Sequence, residues 1–176
     1  MFATDTSEKL FSQWLHDHRG ILVKVSRSFT RAPEDQNDLF QEMMFQLWQS
    51  LPRFRGDAKP STWIYRVCLN TAIRWRRAEG RRESRIEPNA DITRLTVDAA
   101  SPAESAGQRE LLEKLYRAIH AMAEFDRSLV LLALDGLGYR EMAEITGLTE
   151  NHVGVSLTRA LKRLAELMKG STDELE

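Results

Sequence analysis

The chain has 176 residues, with 25 Lys and Arg against 26 Asp and Glu, a formal net charge of −1. A single cysteine, Cys68, excludes an intramolecular disulfide framework and a cysteine-rich zinc site. No apolar run approaches the roughly 20 residues that span a bilayer, and the polar start MFATDTSEKLFSQW lacks a basic-then-apolar leader pattern, so a cytoplasmic protein without membrane insertion is expected.

All strong periodicity is helical. Leu10, Phe11, Trp14 and Leu15 sit at one-turn spacing, and Ile21, Leu22 and Val25 continue an apolar face. Leu39, Met43, Leu47 and Leu51 repeat every four residues, bracketed by Pro33 and Pro52. Asp35, Asp38 and Glu42 fall at i, i+3 and i+7, one acidic stripe on the same helix.

The next segment changes character. From Arg53 to Arg85 there are ten basic and three acidic residues, a local balance of +7 in a chain of net −1. Residues 1–52 carry 5 basic and 7 acidic side chains, and residues 86–176 carry 10 and 16. Phe54, Trp63, Tyr65 and Trp75 are interleaved with the cations. Cations attract a phosphate backbone, and flat rings stack on bases that have left the duplex, so this composition suits partly single-stranded nucleic acid. A short loop, residues 53–60, precedes a helix expected from Ser61 or Thr62 to about Arg77.

Residues 86–108 contain two prolines with Ala, Ser and Asp and little periodicity, the pattern of a flexible linker. Helical periodicity resumes at Leu111, Leu112, Leu115, Ile119 and Met122, and a further apolar helix covers Leu129–Leu134. After the break at residues 135–138 comes a helix-turn-helix pattern. Ala143 is small enough for close helix approach, Gly147 suits a left-handed turn, Thr149 caps the second helix, and Val153 fills the angle between the two. That second helix is expected to bury Val153, Leu157, Leu161, Leu164 and Met168. It would expose Asn151, Gly154, Val155, Thr158, Arg159 and Lys162 toward a major groove.

The fold expected is all-α: two small helical domains, residues 1–85 and 109–170, joined by the flexible linker 86–108 and followed by a short acidic tail, 171–176. In order and spacing, Asp38-Leu-Phe-Gln-Glu42 running to Trp48, Phe54-Arg-Gly-Asp57, Thr62-Trp-Ile-Tyr-Arg66, Asn70-Thr-Ala72 and the helix-turn-helix resemble a bacterial RNA polymerase sigma factor of the extracytoplasmic-function (ECF) type. The resemblance covers residues 8–85 and 108–170. It implies a dissociable specificity subunit, not an enzyme, with core RNA polymerase and promoter DNA as partners and an anti-sigma factor as the expected regulator.

Residue by residue, the resemblance assigns polymerase docking to Asp35, Asp38, Leu39, Gln41, Glu42 and Phe45. It assigns the −10 element, including the melted non-template strand and a flipped base, to Arg53, Phe54, Arg55, Asp57, Lys59, Ser61, Tyr65, Arg66, Asn70, Arg74, Arg76 and Arg77. The −35 element falls to Asn151, Gly154, Val155, Thr158, Arg159 and Lys162. Trp63 and Tyr65 could equally be core. The chain departs from the family at Gly154 and Ser156, where basic residues are common. No cofactor or metal is implied: His16, His18, His120 and His152 form no convincing ligand set. The other readings are a standalone helix-turn-helix regulator that binds duplex DNA without polymerase, and a metal-dependent nuclease built on Asp35, Asp38 and Glu42. The basic–aromatic segment argues against the first, since a duplex-reading repressor has no need of it.

Overall fold

A computed structural model of the chain describes residues 2–83 and 106–173. The described residues form seven α-helices and one 3-10 turn: α1 Phe2–Phe29, α2 Pro33–Ser50, the turn Leu51–Arg53, α3 Pro60–Glu83, α4 Ala106–His120, α5 Glu124–Leu134, α6 Tyr139–Thr146 and α7 Glu150–Asp173. Most of the expected linker lies outside the described residues, but 106–108 already belong to α4. Likewise α7 runs into the expected tail as far as Asp173. The basic helix α3 continues to Glu83, beyond the expected end at Arg77. No described helix is long and apolar enough to cross a membrane.

Helices α1, α2 and α3 pack on one another. Their shared core holds Trp14, Leu22, Val25 and Phe29 from α1, Leu39, Met43 and Leu47 from α2, and Ile64, Cys68, Leu69 and Ala72 from α3. These are the residues on the i, i+3/i+4 faces of each helix, so the apolar periodicity translates directly into burial. Burial also pushes the Cys68 thiol well above its usual range. Helices α4–α7 build a second core from Ile119, Met122, Leu129, Leu132, Met142, Ile145, Val153, Leu157 and Leu164. Leu161 departs from the expected burial: it is exposed, and Ala160 and Ser156 turn inward instead.

The helix-turn-helix follows the local rules of its sequence. Gly147 closes α6 at φ 76°, and its amide bonds to Ala143 O at 2.8 Å. A β-carbon disfavours that left-handed turn, which is why glycine stands there. Thr149 Oγ1 then accepts from the His152 amide at 3.3 Å, capping α7.

The two groups of helices meet, with α1 against α4 and α5, and α3 against α6. The centre of that junction is Arg127, which is 2% exposed. Its guanidinium donates to Ser28 O of α1 at 3.1 Å, and to His120 O and Met122 O at 2.9 and 3.0 Å. It also lies 5.0 Å from the centroid of the Phe29 ring. Burial, and then the nearby Arg76 charge, pull its pKa down to about 10, so it remains cationic at neutral pH. Around it, His120 Nε2 donates to Arg27 O at 2.7 Å, Arg27 stacks on Tyr116 at 4.5 Å, and Lys24 pairs with Asp135.

Three outcomes check this packing. Arg127→Met leaves the three carbonyls without their donor, and urea unfolding is expected to show a loss of roughly 3 kcal/mol. The second concerns His120. Burial, reinforced by the charges of Arg127, Arg31 and Arg76, lowers its pKa to about 4. The unfolded state, with an imidazole near 6.5, therefore takes up the proton first as pH falls. Stability contributed by neutral His120 is present above pH about 6.5 and is lost as pH drops toward 4. His120→Gln should flatten that part of a stability–pH profile. Third, Cys68 should resist a thiol reagent at pH 8 in the native protein and react fully in denaturant.

Candidate nucleic-acid interface

Two cationic faces fall where the sequence places them. The first is built from the loop after α2 and from α3. Gly56 takes φ 81° there, allowing the sharp turn between Arg55 and Asp57. Arg53, Arg55, Asp57 and Lys59 are exposed along this loop. Phe54 faces inward: it meets Trp14 edge-on at 4.8 Å and Trp63 at 5.7 Å, while Trp63 Nε1 donates to Ser50 Oγ at 3.2 Å. This aromatic stack fastens the loop to α1 and α3. On α3, Asn70, Arg74 and Arg77 are exposed, whereas Ser61, Arg66 and Arg76 are half-buried. The Arg74 Nε–H donates to Asn70 O at 3.2 Å, which holds the arginine along the helix and leaves the Asn70 amide free of that bond.

Two expectations need correcting. Tyr65 is only 3% exposed, and its hydroxyl has no hydrogen-bond partner in this arrangement. It lines a cleft with Ile21, Lys24, Ser61, Thr62 and Leu137, so it packs at the junction of the two helix groups instead of facing solvent. Leu39 is fully buried in the first core, because the four-residue repeat that aligns it with Met43 and Leu47 is the repeat of the core face. It cannot touch a partner directly. On the neighbouring acidic face, Asp38 and Gln41 are exposed, Asp35 and Glu42 are half-exposed, and Phe45 and Trp48 add apolar surface. Glu42 accepts from Gln46 at 2.9 Å.

The second domain contacts the first cationic face at three of its cations. Lys59 pairs with Glu141 at 2.7 Å, Arg66 donates to the Glu144 carbonyl, and Arg77 pairs with Glu124 at 3.5 Å. The Glu141 carboxyl is held below its usual range by Lys59 and by the Gly138 amide, and the Lys59 ammonium is correspondingly raised. Water screens this exposed pair, so its importance is positional: an acidic side chain occupies a cation expected to hold phosphate. Sequence reasoning does not single out Arg127, Glu124, Glu141 or Glu144. The available signal for Arg127 is its place four residues before buried Leu131, on the apolar face of α5.

The second cationic face is α7. Asn151, Val155, Thr158, Arg159 and Lys162 are exposed, Gly154 is half-buried, and Ser156 is buried. Thr158 Oγ1 donates to Gly154 O at 2.8 Å, which spends its hydroxyl proton on the backbone. Among the described residues, no group of three or more His, Cys, Asp or Glu could hold a metal ion.

Comparison with known proteins agrees with this geometry. Residues 14–82 match the Sigma-70 region 2 family and residues 112–164 match Sigma-70 region 4. An ECF RNA polymerase sigma-E factor of Haemophilus influenzae is 30% identical over 144 residues, covering 77% of this chain and 73% of that protein. The Escherichia coli ECF RNA polymerase sigma-E factor is 31% identical over 122 residues, 63% of this chain and 62% of its own length. In fold, the chain resembles the sigma factor RpoE in complex with the anti-sigma factor NepR from Bartonella quintana, with a TM-score of 0.73 at 21% identity over 92% of this chain and 98% of that one. It also resembles CnrH in complex with the cytosolic domain of CnrY, with a TM-score of 0.65 at 22% identity over 93% and 90%. The chain belongs to the ECF RNA polymerase sigma factors, dissociable subunits that direct the polymerase to promoters.

Proposed function

We propose that the two cationic faces divide promoter recognition: α3 and the loop before it take the melted −10 element, and α7 takes the −35 duplex. The observation that carries this reading is the exposed row Asn70, Arg74 and Arg77 on α3, next to the loop cations Arg53 and Arg55. Asn70 offers an amide for a base edge, and the arginines hold phosphate. Extracting a base costs a few kcal/mol of stacking, which hydrogen bonds and ring contacts must return. On α7, Asn151 and Arg159 are the base-reading residues, with Lys162 for phosphate.

The acidic face of α2, with Asp35, Asp38, Gln41, Glu42 and exposed Phe45, is the docking surface for core polymerase. Leu39 supports it from beneath. Because Lys59, Arg66 and Tyr65 face the second domain, the chain must open before its −10 face is complete; polymerase binding supplies the energy. The closed arrangement suits capture by an anti-sigma factor, the kind of complex in which the similar solved structures are seen. The protein acts in the cytoplasm as an initiation factor and performs no catalysis of its own.

Titration with core RNA polymerase tests the reading. One-to-one binding that disappears in Asp38→Arg/Glu42→Arg is expected. No binding by the wild type, with tight duplex binding in its place, would favour a standalone regulator. In the holoenzyme, Arg76→Ala/Arg77→Ala should weaken promoter binding across sequences and lower its salt slope by about 0.7–0.9 for each phosphate that is no longer neutralised. Asn70→Ala should relax preference at one −10 position while sparing polymerase binding. Equal weakening on every −10 variant would remove Asn70 from base readout.

A further inference from the structure

The face of α7 assigned to the −35 duplex contains an open cleft of mixed polar and apolar lining. Val155 is 58% exposed and Tyr139, the first residue of α6, is 51% exposed. Adjoining exposed apolar groups on a polar helix face form a patch suited to contact. The Tyr139 ring lies beside residue 154: a β-carbon there would stand 3.4 Å from Tyr139 Cε2 and 3.8 Å from Cδ2, in ordinary van der Waals contact.

The cleft is lined by Tyr139, Glu150, Asn151, Gly154, Val155 and Thr158. Its chemistry selects among the parts of a duplex. The Glu150 carboxylate repels phosphate, and the nearest cations on α7, Arg159 and Lys162, lie outside the lining. The cleft therefore fits a base edge. Tyr139 and Val155 supply apolar surface to it, and Thr158 adds a methyl while its hydroxyl proton is spent on Gly154 O. In the major groove, the apolar group offered by a base is the 5-methyl of thymine, and the adenine paired with it presents a donor and an acceptor that match an asparagine amide. Asn151 stands one turn from Val155 on the same face, at i and i+4.

We propose that this cleft is a thymine-methyl subsite: the 5-methyl of a −35 thymine packs on Tyr139 and Val155, and Asn151 reads the paired adenine. Tyr139 is the specificity residue contributed by the first helix of the motif. The inference rests on α7 being the −35 reader.

The test uses the full chain with core polymerase. A duplex library randomised upstream of a fixed −10 region is selected for binding, and thymines in the enriched site are replaced one at a time by deoxyuridine, which removes only the methyl. The expected result is one A·T pair at which uracil lowers affinity about fourfold, the value of one buried methyl group. That thymine-to-uracil ratio should fall to about one in Tyr139→Ala and in Val155→Ser. Val155 is exposed, so its substitution leaves the core intact. Equal affinity for thymine and uracil at every enriched position overturns the subsite, as does a ratio untouched by both Tyr139→Ala and Val155→Ser. Absence of any enrichment upstream of the −10 region removes the −35 reading itself, and the subsite with it, a result distinct from enrichment without methyl dependence.

Discussion

The closed arrangement turns on one buried guanidinium. Arg127 sits between the two helix groups with bonds to three main-chain carbonyls and the Phe29 ring beneath it. A buried cation is costly unless its hydrogen-bonding groups are met, and here two of its three nitrogens are satisfied while Nε is not. The other contacts across the junction lie at its edges, where water weakens them. Lys24–Asp135, Lys59–Glu141 and Arg77–Glu124 set register; Arg127 with Phe29 supplies the dry centre. Whatever pulls the second domain away must compensate for exposing this group's partners.

That junction engages part of the cationic surface of α3 and the loop before it. Lys59 and Arg66, cations suited to phosphate, are occupied by Glu141 and by the Glu144 carbonyl. Tyr65, a ring suited to stacking, is buried and lines a cleft shared with Leu137. The second domain thus meets the first with acidic and carbonyl groups, the same chemistry that a nucleic-acid backbone would offer. The remaining cations, Arg53, Arg55 and Arg74, are exposed in this same arrangement, so the face is partly covered and partly presented.

Most of the helices are legible in the sequence because their apolar periods are strong. The Leu39–Met43–Leu47 repeat, the Gly147 turn and the Thr149 cap all stand as expected. The same periodicity carries a conflict within the site assignments: Leu39 is assigned to a docking face although its own repeat points into the core. Tyr65 is ambiguous from sequence because an aromatic on a basic helix serves equally as stacking platform or core. The contact between α3 and α6 is not legible, since it joins residues about 80 positions apart through a charge pair that no local pattern encodes. Arg127 is hidden for a related reason. An arginine in an apolar stripe reads as a surface residue until another segment of the chain supplies carbonyls to receive it.

Several acceptors at the junction share one property. Across it, Ser28 meets Arg127, Glu144 meets Arg66 and Arg27 meets His120, and within the second helix group His120 and Met122 meet Arg127, each through a main-chain carbonyl. Such an acceptor is present whatever side chain the residue carries. Point substitution on the receiving side therefore cannot delete these bonds; only the donors, Arg127, Arg66 and His120, can be removed by mutation. For these bonds the fastening is genetically one-sided, unlike the Lys24–Asp135, Lys59–Glu141 and Arg77–Glu124 pairs, in which either partner can be lost. Heritable adjustment of the carbonyl-held contacts is therefore concentrated in three donor positions.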